Sequence, residues 1–565
     1  MAKDFSWLIG GQAGNGIMLS GKLFTKAAAQ TGLYAFAYPE YPSLIRGGHN
    51  SFQVRIGKEK IHGPNNQLDL LVPLNQESFD LHQAELKKGA GIIFDPTVVK
   101  PKSDFKLFPL PLEKIAQNLG EKILRNTVTL GASLALLSGD FSLLEIVLKK
   151  EFGTKKKEIL EQNLKAAKKG FSYIKEHYQP LNFSFSGKKK NLTCLNGNEA
   201  IALAAIAAGC KFYCAYPMTP VSGVLHFLAR WGPKYGMVVR QAEDEIAVIN
   251  NAIGAAHAGV RAMVATSGGG FCLMTESFGL AGMTETPLVI VEGQRGSPST
   301  GMPTWTEQGD LQFVLHASHG DFPRFVIAPA DINDCFYLTF EAFNLAERFQ
   351  SPVIVLVDKF LTESLQTLPP FQIKDLKIDR GKILEEIPSG YKRYRFTVDG
   401  VSPRAFPGQN GGVFLANSDE HDEAGFVCEE GENRNLMMRK RMNKLITAQK
   451  EIPTPIFWKE KRADLTIFSW GSAYGPIIEA REKLIQEGIK TNFYHLSYLS
   501  PFPQKAISEA IKQAKKSVFI EGNFSGQGAS LMREKTGANL DCQILKYDGR
   551  PFYADELVKK IKKLR

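Results

Sequence analysis

The sequence contains no hydrophobic run long enough to cross a lipid bilayer. Its longest apolar stretch lies near Ala200–Gly209, about half of the length that a membrane-spanning helix needs. The N-terminus, MAKDFSWLIGG, has neither a hydrophobic signal core nor a small-residue cleavage site. We therefore expect a protein without a membrane segment that works in the cytoplasm.

Cysteine is scarce and scattered, with seven residues at positions 194, 210, 214, 272, 335, 428 and 542. An odd, dispersed set of this kind is not typical of a disulfide framework. There is also no C-x-x-C pair of the type that holds structural zinc or an iron–sulfur cluster. We therefore do not expect the chain to store electrons on a metal of its own.

The composition is that of a large globular protein. A chain of 565 residues suggests about three or four domains, and 44% hydrophobic with 22% charged residues excludes a disordered chain. The net charge of +11 comes partly from lysine runs such as Lys155–Lys157 and Lys559–Arg565. Because no nucleic-acid motif accompanies these runs, we interpret them as a solubilising surface. Attraction for an acidic electron carrier or for substrate phosphates stays open.

The first part of the chain predicts a strand, a glycine-rich turn and a helix. Residues 5–16 read FSWLIGGQAGNG, and a helical pattern follows over Ile17–Gln30. Free backbone amides at such a helix start favour an anion site, but glycines at 10, 11, 14 and 16 do not form a strict G-x-G-x-x-G. Residues 142–178 have a lysine-rich helical periodicity, and the polar segment 182–192 indicates a linker.

Two further α/β domains are predicted. The apolar runs at 262–266, 287–291 and 353–357 alternate with helical patterns, as in a parallel sheet. The segment 371–460 is irregular, and its acidic loop SDEHDE (418–423) is either a solvated loop or a site for a hard cation. A strand, turn and helix begin again at 465. We predict an α/β protein with domains at 1–181, 193–370 and 461–565.

Four strings in the middle of the chain carry the most specific signal. They are YPMTP (216–220), QAEDEIAVINNAIGAAHAG (241–259), TSGGGFCLMTE (266–276) and QRGSPSTGMPTWTEQGD (294–310). In their order and spacing they resemble the pyrimidine-binding domain of 2-oxoacid:ferredoxin oxidoreductases. Through GGQAGNG (10–16) and EYPSLIRGGHN (40–50), the first domain resembles the gamma-type domain fused ahead of it in many members. The last hundred residues resemble the transketolase C-terminal-like domain of the same alpha subunit.

The resemblance implies an enzyme subunit that uses thiamine diphosphate. The implied reaction is reversible oxidative decarboxylation of a 2-oxoacid to acyl-coenzyme A and CO₂, with electrons passed to ferredoxin. Enzymes of this class hold the diphosphate through Mg²⁺ with a G-D-G motif, whereas this sequence has only GDF and GDL. We therefore expect Mg²⁺ and a [4Fe–4S] cluster on a beta-type partner subunit in an α₂β₂ complex, and no metal site on this chain.

The acidic triplet Glu243, Asp244 and Glu245 precedes a helical face formed by Ile246, Ile249, Ile253 and Ala256. On the residues alone, three acids at a helix start are explained by the helix dipole. The resemblance implies a catalytic role for Glu245, which matches the glutamate that hydrogen-bonds N1′ of the thiamine aminopyrimidine. A carboxyl group of raised pKa there would promote the imino tautomer of the ring.

Substrate recognition requires a cation for the 2-oxoacid carboxylate. Arg295 follows the strand at 287–291, at the carboxyl end where ligands bind in parallel sheets, and a guanidinium can grip a carboxylate with two hydrogen bonds. Thr219 and Thr300 match family positions near the substrate, and Arg46 matches a basic position from which the first domain reaches toward it. A surface ion pair is the alternative for Arg295.

Ser267 and Gly268 begin a small-residue run that is either a surface for the planar pyrimidine or a tight turn. Asn523 and the turn at 525–528 are either ligand contacts or a turn. Trp305 stands where many family members have a basic residue, which argues against a dicarboxylate substrate. Two other functions stay open: a non-catalytic scaffold or regulatory subunit, and a nucleotide-dependent oxidoreductase built on the N-terminal glycine turn.

Overall fold

The computed structural model describes residues 4–44, 47–101, 104–188 and 190–564. The elements up to residue 177 are β1 (Asp4–Gln12), α1 (Ile17–Gln30), β2 (Tyr34–Glu40), β3 (His49–Gly57), β4 (Leu68–Pro73), α2 (Gln76–His82), β5 (Leu86–Phe94), β6 (Lys106–Pro109), α3 (Leu112–Asn118), α4 (Arg125–Leu136), α5 (Ser142–Phe152) and α6 (Lys157–His177).

The elements of the middle part are β7 (Thr193–Asn196), α7 (Gly197–Ala207), β8 (Phe212–Ala215), α8 (Ser222–Trp231), β9 (Val238–Gln241), α9 (Glu245–His257), β10 (Ala262–Thr266), α10 (Gly268–Met283), β11 (Leu288–Gln294), α11 (Leu311–His316), β12 (Phe325–Ile327), α12 (Ile332–Phe349), β13 (Pro352–Asp358), α13 (Lys359–Glu363) and β14 (Leu365–Leu368).

The remaining elements are α14 (Gly431–Ala448), β15 (Ile456–Trp458), β16 (Leu465–Trp470), α15 (Tyr474–Gln486), β17 (Thr491–Leu496), β18 (Tyr498–Ser500), α16 (Gln504–Gln513), β19 (Ser517–Glu521), α17 (Gln527–Thr536), β20 (Cys542–Leu545) and α18 (Ala554–Lys562). Short 3₁₀ helices lie at Gln83–Glu85, Lys122–Leu124, Gly232–Tyr235 and Gly471–Ala473. No helix in these ranges combines the length and the apolar character that crossing a bilayer requires.

The chain divides into two compact units. The first holds the residues up to Asn196 together with Glu363–Pro370 and Tyr553–Leu557, and the second holds Gly197–Thr362, Phe371–Phe552 and the residues from Val558. The α/β class is confirmed. The second and third predicted domains lie in the same unit, because one hydrophobic core contains side chains of both, such as Phe271 and Trp470.

The first unit is built on an eight-stranded sheet in the order β6-β5-β4-β1-β3-β2-β14-β7. Strand β4 runs parallel to β1, and β3 runs antiparallel to it. The predicted helix bounds Ile17–Gln30 are confirmed. Its N-cap, Gly16, has φ 75°, a left-handed conformation that glycine adopts without a steric penalty.

The segment predicted as a linker, 182–192, has no helix or strand in its described residues. It is nevertheless packed against the first unit, because Phe183 and Phe185 are buried in that unit's core. The alternation of phenylalanine and serine in NFSFS therefore marks a segment with one apolar side.

The second unit contains two sheets. The seven-stranded sheet has the order β18-β12-β13-β11-β10-β8-β9, and the five-stranded sheet has the order β15-β17-β16-β19-β20. Strands β10, β11 and β13 run parallel and are buried along their whole length. This explains why their sequences are continuous apolar runs rather than alternating ones.

The prediction of an irregular segment over 371–460 is wrong in its last third, which contains the 18-residue helix α14. Mean hydropathy along α14 is low, because it is rich in arginine, lysine and asparagine. Three of its cations, Lys440, Arg441 and Lys444, are nevertheless buried. Lys440 Nζ lies 2.5 Å and Lys444 Nζ 2.6 Å from the carboxylate of Glu285, just beyond α10. A buried ion cluster thus anchors the helix.

Candidate functional site

The four strings of the middle part meet at one edge of the seven-stranded sheet. Strands β9, β8, β10 and β11 are neighbours and parallel, so the segments that follow them lie side by side. These segments contain Thr219, the acidic triplet, Ser267 and Arg295. Ligands bind beyond the carboxyl ends of strands in sheets of this type.

The three acids at the start of α9 have three different environments. Glu243 is exposed. Asp244 is the N-cap, and its Oδ1 accepts a hydrogen bond from Ala247 N at 2.8 Å. Glu245 is the first residue of the helix and is only 3% exposed. Helix capping therefore explains Asp244 and does not explain the burial of Glu245.

The carboxyl group of Glu245 is incompletely satisfied. Its Oε1 is buried and has no hydrogen-bond partner among the described residues. Burial raises the pKa of this carboxyl group, its own backbone N–H opposes the rise, and the charge of Asp244 adds to it. A buried oxygen without a partner costs free energy, so this one is suited to a ligand that brings a hydrogen-bonding group.

The predicted buried face of α9 needs one correction. Ile249, Ile253 and Ala256 are buried, but Ile246 is 49% exposed and Val248 is buried in its place. Because Glu245 points inward at the first position, the next residue faces outward. Ile246 therefore lies on the surface beside the site.

Small residues at the start of α10 make room for carboxyl groups. A Cβ atom on Gly270 would lie 2.5 Å from Glu245 Oε1, and one on Gly268 would lie 2.6 Å from Asp310 Oδ2. A Cβ on Gly269 would have no atom within 4 Å among the described residues. The N-cap, Ser267, makes no side-chain capping bond, and its buried Oγ has no partner in the described ranges. A tight turn is present, and ligand contacts of Ser267 and Gly268 stay a prediction.

Arg295 and Thr219 lie together, as predicted for a common site. Arg295 is half-buried, and its Nη1 donates a hydrogen bond to the carbonyl oxygen of Thr219 at 2.8 Å. Burial lowers the pKa of the guanidinium, and the carboxyl groups of Asp310 and Glu292 oppose this shift. The contact is to the main chain, so Thr219 O orients the guanidinium group. A substrate contact of the Thr219 hydroxyl group stays a prediction.

Thr300 is exposed in the loop that follows Arg295. Met302 N donates to Gly296 O at 2.7 Å and closes this loop. Arg46 lies outside the described residues. The structure therefore brings Glu245, Ser267, Thr219 and Arg295 to one sheet edge, with Thr300 in an adjoining loop.

Sequence reasoning missed two acids beside Arg295. Glu292 is a fully buried residue of β11, and Asp310 precedes α11. The signal was a single acid in the otherwise apolar strand sequence LVIVEGQ, because a carboxyl group is rarely placed inside a parallel sheet without a partner.

Gln308 was also missed. Its Nε2 donates to Trp470 O at 3.1 Å and its Oε1 accepts from Gly522 N at 2.7 Å. Asn523 Nδ2 donates to the carbonyl oxygen of Gln308 at 3.1 Å, and Asn523 Oδ1 accepts from Gly526 N at 2.8 Å. These bonds give Asn523 a turn-forming and bridging role.

Trp305 is paired with a cation from the C-terminal part of the unit. The Arg550 guanidinium carbon lies 3.2 Å from the centroid of the Trp305 ring. A positive charge is therefore present at this position although the sequence has tryptophan there. The lack of a basic residue at position 305 therefore does not by itself argue against a dicarboxylate substrate.

The acidic loop 418–423 is held by arginines. Glu420 accepts hydrogen bonds from Arg441 Nη1 at 2.9 Å and Nη2 at 2.6 Å. Over the described ranges, no group of three or more histidine, cysteine, aspartate or glutamate side chains is arranged to hold a metal ion. All seven cysteines are free.

Three family models match the chain in succession. Residues 6–173 match "Pyruvate ferredoxin/flavodoxin oxidoreductase", residues 203–440 match "Pyruvate flavodoxin/ferredoxin oxidoreductase, thiamine diP-bdg", and residues 458–546 match "Transketolase, C-terminal domain". The site described above lies within the second match. Fold and site together define an oxidoreductase of the class with a thiamine-diphosphate-binding domain.

Similar proteins narrow this class. The alpha subunit of a 2-oxoacid:ferredoxin oxidoreductase from Sulfolobus is 34% identical over 98% of this chain and 95% of its own. A 2-oxoglutarate oxidoreductase subunit from Mycobacterium tuberculosis is 31% identical over 97% of this chain and 89% of its own. The chain belongs to the alpha-subunit family of the 2-oxoacid:ferredoxin oxidoreductases.

A solved structure agrees with this assignment. The 2-oxoglutarate:ferredoxin oxidoreductase from Magnetococcus marinus, with 2-oxoglutarate, coenzyme A and succinyl-CoA bound, matches with a TM-score of 0.93 at 34% identity. The match covers 100% of both chains. The protein is thus an oxidoreductase subunit of this family. The family assignment replaces the alternative of a nucleotide-dependent oxidoreductase built on the N-terminal glycine turn.

Proposed function

We propose that this chain supplies the substrate- and pyrimidine-binding half of an enzyme that oxidatively decarboxylates a 2-oxoacid to acyl-coenzyme A and CO₂, with electrons passed to ferredoxin. The observation that carries the proposal is the buried carboxyl group of Glu245, whose Oε1 has no partner among the described residues, at the sheet edge that also holds Arg295. A non-catalytic scaffold has no use for such a costly group.

The residues at this edge fit the aminopyrimidine of thiamine diphosphate. Glu245 offers a carboxyl oxygen to a ring nitrogen, and its raised pKa lets it hold or release a proton there. The buried Ser267 Oγ and the backbone at Gly268 lie at the start of α10, the helix in which Gly270 approaches Glu245 Oε1, and the open space at Gly269 leaves room for a planar ring. When bound, thiamine diphosphate supplies the carbon nucleophile and electron sink that this reaction requires.

Arg295 is the group that we assign to the 2-oxoacid carboxylate. Its guanidinium is half-buried, so its charge is less screened than on the surface, and Thr219 O fixes its orientation. Thr219 and Thr300 offer hydroxyl groups to the substrate. Arg46 lies outside the described residues, and its contact with the substrate stays a prediction from the family resemblance. The Mycobacterium and Magnetococcus relatives are named for 2-oxoglutarate, which favours a dicarboxylate.

The proposal includes a multi-subunit enzyme. Relatives of this chain are named as subunits, and the sequence has neither a G-D-G motif nor a cysteine cluster. We therefore assign the Mg²⁺–diphosphate site and a [4Fe–4S] cluster to a beta-type subunit in a cytoplasmic α₂β₂ complex. Coenzyme A and ferredoxin are its other partners.

The test is an assay of the complex with its partner subunit. We expect reduction of viologen only when a 2-oxoacid and coenzyme A are both present. Replacing Arg295 by Met should lower kcat/KM for the 2-oxoacid by an amount equivalent to about 2–4 kcal/mol, because a carboxylate loses a charged partner. The KM for coenzyme A should hardly change. Loss of coenzyme A binding instead would show that Arg295 serves a different ligand.

A further inference from the structure

The carboxyl groups of Glu292 and Asp310 are in hydrogen-bonding contact with each other. Glu292 lies in the buried strand β11 and is 0% exposed. Apart from this contact, neither of its carboxyl oxygens has a hydrogen-bond partner among the described residues. Two ionised carboxylates have no proton to place between them, so this contact requires that one of the two groups is protonated.

Another buried glutamate shows that burial alone does not produce this arrangement. Glu521 is also 0% exposed, but its carboxylate accepts hydrogen bonds from Trp470 Nε1, Asn523 Nδ2, Gly528 N and Ala529 N, at distances of 2.7–3.1 Å. Those donors satisfy an ionised group. Among the described residues no such donor reaches Glu292, and the group in hydrogen-bonding contact with it is the carboxyl group of Asp310.

The pair is held next to Arg295. Gln294 Oε1 accepts a hydrogen bond from Asp310 N at 3.1 Å, and the missing side chain of Gly268 leaves room for Asp310 Oδ2 at the first turn of α10. The titratable groups that face the pair are Arg295, Cys272 and Glu307. Arg295 is the cation of this group, and it is the residue assigned to the substrate.

We propose that Glu292 and Asp310 share one proton and present a single negative charge to Arg295, so that the proton count of the pair sets how tightly the guanidinium holds the substrate carboxylate. Both residues are positioning residues for the reaction. The identity of the ligand on Arg295 rests on the proposed function, whereas the shared proton does not.

The direction of the effect follows from charge. Burial is the main cause that raises the pKa of both acids, to about 6 for Asp310. When rising pH removes the shared proton, the pair carries two negative charges and competes more strongly with the substrate for Arg295. The KM for the 2-oxoacid should therefore rise by about 3–10-fold, the size expected for one partly screened charge nearby.

The test uses Glu292→Gln in the complex with its partner subunit. The amide of glutamine donates an N–H to Asp310, so the variant keeps one negative charge at every pH at which Asp310 is ionised. We expect the alkaline rise in KM to disappear with little change in kcat. The infrared difference spectrum between wild type and variant should show the loss of one protonated carboxyl C=O band.

Two further variants make the test decisive. Glu276→Gln removes an exposed carboxyl group from α10 and should change neither the band nor the pH profile of KM. Asp310→Asn offers an N–H donor to Glu292 and should reproduce the effects of Glu292→Gln, which covers the case that the first variant does not fold.

The two readouts separate the possible failures. An unchanged infrared spectrum in Glu292→Gln would overturn the shared proton. Loss of the band with an unchanged pH profile would overturn the link to Arg295. A wild-type complex that turns over no 2-oxoacid would contradict the proposed function and leave the infrared result as an independent test of the pair.

Discussion

Two groups of buried acids in the second unit have opposite electrostatic environments. Glu285 lies between Lys440 and Lys444, and these ammonium groups hold the pKa of its carboxyl group well below the usual range although burial alone would raise it. At the sheet edge, no N–H group of the described part of the chain reaches the buried Oε1 of Glu245 or either carboxyl oxygen of Glu292, and burial raises the pKa values of both groups.

The difference separates a structural cluster from a functional one. A buried carboxylate with two lysines is compensated within the chain and can fix the position of α14 against the sheet domain. An uncompensated carboxyl group lowers stability and is tolerated where its proton or its free oxygen is used. Compensation by the chain's own cations, rather than depth of burial, distinguishes the two groups.

The largest expected effect concerns Glu245. Glu245→Gln in the reconstituted complex should reduce turnover by about 10²–10⁴-fold, because the amide cannot exchange a proton with the cofactor ring. Thermal unfolding should be unchanged or slightly shifted upward, since a neutral group replaces an uncompensated one. Steady-state kinetics and calorimetry measure the two quantities.

The matched control is Glu243→Gln, which changes an exposed acid two residues earlier in the same triplet. It should leave turnover nearly unchanged. Equal losses in the two variants would mean that the triplet acts only through the helix dipole and that Glu245 has no special role.

The second prediction concerns Glu285, for which a substitution should lower stability and leave turnover nearly unchanged. Glu285→Gln leaves Lys440 and Lys444 without an anion in a buried site, so it should lower the free energy of unfolding by about 3–5 kcal/mol. Turnover of the protein that remains folded should be close to wild type, because Glu285 lies outside the site. Urea unfolding and an activity assay on the same samples measure the two quantities. An unchanged free energy of unfolding in Glu285→Gln would contradict the comparison.

The smallest expected effect is in the pH dependence of stability. The folded pKa of Glu285 is lowered, so its contribution is complete above the unfolded value of about 4.3 and is lost as the pH falls below it. The folded pKa of Asp310 is raised to about 6, so its contribution is present at low pH and lost as the pH rises from about 4 toward this value.

Unfolding free energies measured in urea over this range would resolve the two signs. Between about pH 4 and 6, wild type should gain stability relative to Asp310→Asn as the pH falls. Below about pH 4.3, wild type should lose stability relative to Glu285→Gln. If the free energy of unfolding changed with pH in the same way for all three proteins, the electrostatic difference between Glu285 and Asp310 would be contradicted.

The sequence predicts the elements better than the contacts between them. The helix Ile17–Gln30 and the strand Ala262–Thr266 were predicted to the residue, because glycines and apolar runs mark them locally. The anchoring of α14 was not predictable, since Lys440 and Glu285 are 155 positions apart. A lysine-rich helix with weak amphipathicity indicates solvent exposure unless its distant partner is known.

The site was predictable as far as local motifs extend. The strings placed Thr219, Glu245, Ser267 and Arg295 at one edge because adjacent parallel strands end there. The contacts of Gln308 and the pairing of Glu292 with Asp310 depend on how loops fold back, which no local pattern records. Ile246 was placed on the wrong side because the inward turn of Glu245 shifts the start of the buried face.

The bonds of Gln308 have a consequence for exchanging modules between relatives. The side-chain amide donates to Trp470 O and accepts from Gly522 N. The position therefore needs a side chain with both an N–H donor and a carbonyl acceptor. Glutamate lacks the donor and methionine lacks both. In a chimera that joins the C-terminal domain of one relative to the preceding domain of another, the segment around position 308 would keep both bonds only if the recipient retains an amide at this position and the donor domain offers the same two main-chain groups.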